Sequence, residues 1–524
     1  MNPVDTINSF DDKESVHNVE LAKALGKLAG VFDDVELPPP GSPERKKLEK
    51  KLMLKIDFTI LPLMVGMYIL NYLDRNNIAA AKLGTIIEDL HLTSTQYSTC
   101  VSILFVSYIL MQVPSNLILA RLGRPNIYLP IIMMIWGLLS ALVSVVQSYG
   151  TLVVLRLLIG IFEAGFYPGV IYYLSCWYTR LELAKRSSIF ILGSYLSGAF
   201  SGFISYGVMK NLDGVHGKAA WRWLFIIEGV ATVGFSIVCM PILPSLPQNT
   251  RWLSKEERLL GVVRLMEDFQ QKEHEQSTAI GDLENVTGDN EKSVNAEAIG
   301  DATFKDITPL QGVKLAVTDM KVIIFCQILF CIAGTASINT VFPTIVDSLE
   351  YDQTETLLLT APPWILCAIT CYINAWHSDR TKERFWHMIW GPAVSVIGFA
   401  IGLATLKTAP RYVAIMLLLQ IYNSWGVGYA WITSIINQPP MKRAAGIAIV
   451  NIAFNVPNIF MPYLFSSGAS PHFWGGFSLC LVFAALSVVG CVILRFHLIK
   501  LNKKLAAGEI VDGMDGKTGF RFMC

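Results

Sequence analysis

Hydrophobic positions in this chain come in long unbroken runs, not in the spaced pattern of a soluble helix or the alternation of a surface strand. Runs at 56–80, 97–119, 126–147, 151–177, 187–209 and 222–243 are followed by a long polar gap. A second set lies at 321–346, 356–376, 387–406, 411–436, 444–466 and 473–497. Crossing a bilayer as a helix takes roughly 20 apolar residues. Runs of this length in lipid are helices, because only helices and closed barrels satisfy every backbone polar group there. The pattern predicts an all-α polytopic membrane protein with twelve transmembrane helices in two pseudo-symmetric six-helix halves. Six spans, a gap and six spans is the internal repeat of a secondary transporter fold. Two tight basic turns echo each other, "ARLGRPN" after the second span and "HSDRTKERFW" after the eighth.

The same pattern sets the domain organisation. Residues 1–51 form a polar, flexible tail; 52–243 the first half; 244–320 a central loop; 321–498 the second half; 499–524 a C-terminal tail. The loop opens with "PSLPQNTRWLSKEERLLGVVRLMEDF", where Ser254 and Glu257 have the spacing of a capping box before an amphipathic helix. Residues 270–303 are polar and aperiodic and read as a disordered linker. "ITPLQGVKLAVTD" reads as a short interfacial helix. Lys and Arg accumulate in alternate short loops (Arg121, Arg124, Arg180, Lys185, Arg186, Arg380, Lys382, Arg384, Lys442, Arg443). By the positive-inside rule those loops, and both termini, are cytosolic.

Composition narrows the function classes. Hydrophobic residues make up 53% of the chain and charged ones 16%, against about 25% charged in a soluble protein. A net charge of +1 lacks the basic excess of a nucleic-acid binder. Nine of the ten cysteines lie in or beside apolar runs, where they act as small packing residues. Their spacings match no zinc site, so neither metal nor cofactor is expected. No nucleophile and base come together in the pattern, and the eight histidines are scattered; the chain is not expected to be an enzyme.

The charges inside the apolar runs carry the candidate chemistry. An ionisable residue near the centre of a span costs roughly 2.5–3.5 kcal/mol, so each needs a reason. Asp74 and Arg75 stand in "YILNYLDRNNIAAAK", and Arg156 and Glu163 in "VVLRLLIGIFEAGFYPG". Seven residues make close to two turns, which puts Arg156 and Glu163 on one helix face. Gly160 and Ala164, a small-xxx-small pair on the same span, invite a close neighbour. With the first and fourth spans facing each other, the four residues would form a neutral cluster on a polar cavity. One reading is a pair of salt bridges that fix helix register. The other is functional. A carboxylate in low dielectric can bind and release a proton near neutral pH, and a guanidinium can hold a carboxylate through two parallel hydrogen bonds.

Glu228, in "AAWRWLFIIEGVATVG", six residues after Arg222, is read as structural, paired with an inner or outer loop base. Asn451, Asn455 and Asn458 interrupt the eleventh span at spacings of four and three, beside Pro457 and Pro462. They line one face, where amides bind substrate or join helices. Trp364, Tyr372, Trp425, Tyr429 and Trp431 are packing or interface anchors, with one or two free to flank a ring-bearing substrate. The turn Ser378–Arg380 is positioned to clamp inner helix ends.

"YLDRNNIAAAK", "QVPSNLILARLG", "RLLIGIFEAGFYPGVIYYLSCWYTRLELAKR", "WRWLFIIEG", "RWLSKEER" and "HSDRTKER" together resemble the major facilitator superfamily. More narrowly they are similar to the anion:cation symporter family, in its fungal allantoate permease branch. The resemblance spans about residues 45 to 500. It implies a twelve-helix carrier of two six-helix halves that works by alternating access around a central site. It further implies proton-coupled uptake of a small carboxylate-bearing solute such as a vitamin, a ureide or an organic acid. By that likeness Asp74 and Glu163 are the proton sites, Arg75 holds the substrate carboxylate, Arg156 biases or pairs with the acids, and Asp379 and Arg380 gate; the candidate substrate-binding set is Arg75 and Arg156 with, from their own spacing, Asn451 and Asn455. The superfamily's first inner turn commonly carries an acid where this chain has Ala120. Partners implied are the organic anion, protons and the lipid bilayer, for a monomer in the plasma membrane. An exporter, an uncoupled facilitator and a non-transporting nutrient sensor share the same pattern.

Overall fold

Twelve helices in the computed structural model are long and apolar enough to cross a membrane. The first six are α1 (Pro43–Ala81), α2 (Ser94–Leu119), α3 (Pro125–Val145), α4 (Tyr149–Ser175), α5 (Lys185–Asn211) and α6 (Ala220–Ile242). The second six are α7 (Met320–Asp347), α8 (Glu355–Thr381), α9 (Phe385–Ala404), α10 (Thr408–Ile435), α11 (Ala445–Leu464) and α12 (Trp474–Ala506). The structure describes residues 35, 37–268, 309–349, 351–381, 383–436, 440–465, 472–507 and 521–523. The expected linker at 270–303 and nearly all of the expected tail before Pro43 lie outside the described residues.

Helix ends follow local chemistry. Ser42 caps α1 by accepting a hydrogen bond from the Arg45 backbone N–H, with Pro43 in the first turn. The helix therefore starts inside the segment assigned to the tail, and residues 43–51 belong to α1. Thr93 and Gln96 form a reciprocal capping box at the start of α2. Beyond the apolar span the same helix runs on to Leu122 and is capped by Gly123, whose φ of 59° is left-handed.

Helix pairing repeats between the halves. In the first half α1 packs on α5 and α6, α2 on α4, and α3 on α6. In the second, α7 packs on α11 and α12, α8 on α10, and α9 on α12. Each pair recurs six helices later, which is the pseudo-symmetry expected from the sequence. The halves meet where α2 lies against α11 and α5 against α8. At the end where α1, α7 and α11 finish, the Ser98 hydroxyl donates to the Pro462 carbonyl (3.1 Å). There Thr99 and Tyr463 share a hydrogen bond (3.1 Å), and the Asn339 amide donates to Asn76 Oδ1 (3.0 Å). That end of the interface is closed.

The central loop is anchored at the opposite end of the first half. Residues 255–268 are helical. Ser254 and Glu257 cap each other reciprocally, as their spacing predicts. Glu257 is buried and receives Lys55 at 2.6 Å, Arg45 reaches Glu267 at 2.9 Å, and Arg264 reaches Glu182 at 2.5 Å. Arg186 and Asp57 pair through two hydrogen bonds, tying α5 to α1. A second loop helix, Pro309–Thr318, packs on the start of the eleventh-span segment. Each half thus carries its own loop helix. Residues 521–523 fold back: Asn502 brackets the Phe522 backbone, and Trp431 Nε1 donates to the Met523 carbonyl (3.0 Å).

Burial alone would raise the Glu257 carboxyl. The Lys55 hydrogen bond, the Ser254 N–H and the charges of Lys55 and Lys51 outweigh it and hold the group below the usual glutamate range. A carboxylate depressed in the folded state stabilises above its unfolded pKa and loses that contribution as pH falls through the folded value. The 255–268 helix is expected to stay docked at pH 5 to 7 and to loosen only in stronger acid. Hydrogen exchange across 255–268 at pH 3 and pH 6, corrected for intrinsic rates, checks this. Equal protection at both would remove Glu257 from the anchor.

Candidate functional site

The charged residues of α1 and α4 separate into two environments. Successive helical residues point about 100° apart, so Asp74 and Arg75 cannot share a face. Asp74 turns into the first half and accepts from Ser140 Oγ (2.9 Å), Trp136 Nε1 (3.2 Å) and Thr232 Oγ1 (3.2 Å). Three donors from α3 and α6 satisfy one buried carboxylate. Arg75 turns toward α4, where its Nε donates to Glu163 Oε2 at 2.5 Å. Its guanidinium lies near the rings of Tyr108 (4.8 Å) and Tyr72 (5.4 Å), within cation–π range.

Arg156 and Glu163 lie two turns apart, with Gly160 between them. A Cβ at Gly160 would run into Ser107 Oγ and the Leu104 carbonyl of α2. Glycine is required there for α2 to come close. Arg156 is buried and its Nε donates to the Cys100 carbonyl at 3.3 Å. Among the described residues no carboxylate pairs with it. Glu163 Oε1 has no partner either. The expected four-charge cluster is therefore partly realised. Arg75 and Glu163 pair, Arg156 stands unpaired nearby, and Asp74 lies on the far side of α1.

A cavity of about 90 Å³ sits between the halves. Arg75, Arg156 and Tyr72 line it from the first half; Trp425, Asn455 and Asn458 are among those lining it from the second. Helices break around it. α4 is interrupted after Glu163, α7 carries a 3₁₀ turn at Ser337–Val341, and α10 one at Leu419–Tyr422. The eleventh span ends one helix at Asn455 and begins the next at Pro457. Irregular backbone at membrane depth is tolerated where it lines a cavity.

Of the asparagines singled out in the sequence, Asn455 and Asn458 reach the cavity. Asn451 does not line it; its Oδ1 accepts from Tyr429 Oη (2.8 Å). The break at Val456 follows both Asn451 and Asn455, so it is the Tyr429 contact that takes the Asn451 side chain away from the cavity. The sequence did not single out Tyr72, Phe105, Ser337 or Phe454, which also line the cavity. Apolar and aromatic residues are so common in the spans that no pattern marks these four.

The last turn of α8 holds Asp379 and Arg380, but they do not pair. Asp379 pairs with Arg384 at 2.7 Å, and Arg380 lies over the Trp376 ring at 5.5 Å. Ser378 Oγ donates to the Glu383 carbonyl and accepts from Arg384. The expected partner of Glu228 is a correction. Arg222 is engaged by the Ser144 and Val146 carbonyls, and both Glu228 carboxylate oxygens are buried without a partner among the described residues. Six residues along a helix set Arg222 and Glu228 about 120° apart. No group of three His, Cys, Asp or Glu side chains able to hold a metal ion occurs among the described residues.

Residues 64–462 match the family model of the Major Facilitator Superfamily. The chain is 32% identical over 490 residues to the MFS-type transporter cnsO of Penicillium expansum, covering 89% of this chain and 87% of that one. It is 30% identical over 427 residues to an Agrobacterium vitis protein named provisionally as a tartrate transporter, covering 79% and 84%. Among solved structures it is similar to the xylose transporter XylE from E. coli in a partially occluded inward-open conformation. That likeness has a TM-score of 0.58 at 14% identity and covers 84% of this chain and 98% of the other. An inward-facing bacterial homologue of the human lysosomal transporter Spinster gives a TM-score of 0.58 at 13% identity, covering 83% and 95%. With twelve spans, repeated pairing and a cavity between the halves, the chain belongs to the major facilitator superfamily: it is a multi-pass membrane transporter and not an enzyme.

Proposed function

We propose that this transporter imports a small organic anion together with protons, by alternating access. The observation that carries the reading is Arg156, a buried guanidinium on the cavity wall with no carboxylate partner among the described residues. A buried cation without a counter-ion is costly, and an incoming carboxylate supplies one through two parallel hydrogen bonds. Arg75 is held by Glu163. Protonation of Glu163 releases Arg75 to join Arg156 on the substrate, so proton and anion favour each other's binding. Asp74 is assigned to the proton path from its buried place beside Arg75. Asn455 borders the anion, and Asn451 acts through Tyr429. Asp379, through Arg384, and Arg380 secure the turn that gates the second half.

The closed end of the interface is the outer one in this reading, with both termini cytosolic and a monomeric carrier in the plasma membrane. The name of the Agrobacterium relative adds support for a carboxylate cargo. Radiolabelled carboxylates offered to a transport-deficient yeast at external pH 5 and pH 7, with and without a protonophore, test it. One anion should accumulate at pH 5, and accumulation should collapse at pH 7 and with the protonophore. Uptake indifferent to both would exclude proton coupling and favour an uncoupled facilitator.

A further inference from the structure

We propose that the second half carries a socket for an extended aromatic peptide, filled here by the chain's own Phe522, and that filling it holds the carrier closed at its outer end. The socket lies where α7 begins and α10 and α12 finish, at the end opposite the closed one. Each of these helices supplies one group. On α12, the Asn502 side-chain amide donates to the Phe522 carbonyl (2.9 Å), and Asn502 Oδ1 accepts from the Phe522 N–H (2.8 Å). A neighbouring strand would offer the same pairing, which reads backbone and not side chain. On α10, Trp431 Nε1 donates to the next carbonyl, that of Met523 (3.0 Å). On α7, the Lys321 ammonium sits 4.8 Å from the centre of the Phe522 ring, within cation–π range. Phe522 is 3% exposed, while Arg521 and Met523 on either side of it are exposed. Out, in, out is the register of an extended segment pinned by one side chain.

The place of Trp431 gives the contact its consequence. α10 is broken by the 3₁₀ turn at Leu419–Tyr422, and Asn423–Ile435 runs from that break to the socket. Trp431 stands on this last segment, edge-on to Phe325 of α7 with centroids 5.7 Å apart. The docked tail therefore ties the end of α10 to α12 and α7 of its own half. The same segment of α10 also touches α5 of the first half. Opening the outer end requires the opposite ends of the two halves to converge, and helical segments beyond a break are the ones that swing. A tail that holds Asn423–Ile435 back opposes that swing. The structure combines a filled socket with an outer end closed by Ser98, Thr99 and Asn339. A ligand that prefers one of two states shifts the population toward it, and the tail is such a ligand on a tether. Three hydrogen bonds and one ring make a weak contact. Tethering lifts its effective concentration to about the millimolar range, so the tail docks and still releases. The inference takes alternating access from the reading above and is independent of the cargo and of proton coupling.

Hydrogen exchange of the purified full chain in nanodiscs tests this at a distance from the socket. The readout is residues 94–101 of α2 and 457–464 of α11, which carry the outer contacts. Phe522→Ala should speed their exchange about threefold, as the outward-open population grows. Asn502→Leu, which removes both backbone bonds and leaves the tail intact, should do the same. A synthetic peptide of residues 517–524 (KTGFRFMC), added to the Phe522→Ala variant at about 1 mM, should restore the parent rate. The same peptide carrying F522A should not. Parent-like exchange at the outer end in both variants overturns the proposal, as does faster exchange confined to 423–435 and 498–506, which marks the tail as local packing. A peptide that fails to restore protection removes the socket. The readout involves no cargo, so any of these failures leaves the proton and anion reading standing.

Discussion

Arg156→Lys is expected to lower the transport efficiency (kcat/KM) for the carboxylate by about 100-fold. Lysine preserves the positive charge but presents a point charge in place of a planar fork. It forfeits the second hydrogen bond to the substrate and the Nε bond to the Cys100 carbonyl. Losing one partner of a buried, hydrogen-bonded charge pair costs about 2–5 kcal/mol, and each 1.4 kcal/mol is about tenfold. The loss should appear mainly in KM, because the substrate carboxylate loses half of its hold. Initial uptake rates over a range of substrate concentration, normalised to protein at the cell surface, measure it. A lysine variant that transports like the parent would show that charge alone suffices. An Arg156→Ala variant with the parent KM would remove this residue from the binding site.

Glu163→Gln is expected to abolish concentrative uptake while sparing exchange. Glutamine keeps the shape of the side chain and an oxygen that can accept from Arg75, but it cannot lose a proton. The variant mimics the protonated carrier permanently. An electroneutral symporter of one proton and a monovalent anion can reach a gradient of about 100-fold across two pH units, tenfold per unit. In proteoliposomes at pH 7 inside and pH 5 outside, the variant should equilibrate substrate at a ratio near one. It should still exchange labelled for unlabelled substrate. The Gly160 contact and the Asp74 hydrogen bonds are untouched by the change, so folding is not at risk. Accumulation at the parent level would move the coupling proton to another group, with Asp74 and Glu228 as the two remaining buried acids of the first half.

Much of this architecture was legible in the order of residues. Twelve spans follow from run length, because lipid leaves a backbone of that apolarity only the helix. The capping box of Ser254 and Glu257 was readable because its partners lie three residues apart and need no tertiary contact. Arg156, Glu163 and the glycine between them were readable for the same reason, since helical periodicity fixes their common face. The pairing of Arg75 with Glu163 was within reach once α1 and α4 were set opposite each other.

Other features required the packed molecule. Asp74 and Arg75 are neighbours in sequence, yet one is absorbed by Trp136, Ser140 and Thr232 and the other meets Glu163. Which helix lies on which side of α1 decides that, and the chain carries no local record of it. Asn451 shares a helix with Asn455 but stays out of the cavity lining, where Tyr429 claims its oxygen. Glu228 met no loop base among the described residues, while Arg222 went to the Ser144 and Val146 carbonyls. Trp425 and Phe454 became a wall only where α10 and α11 converge. Sequence determined which segments enter the membrane and which charges must be explained there, because burial cost and helical period act along the chain. Tertiary structure alone decided which of those charges stayed unpaired at the cavity, because that depends on the partners each helix face meets across space.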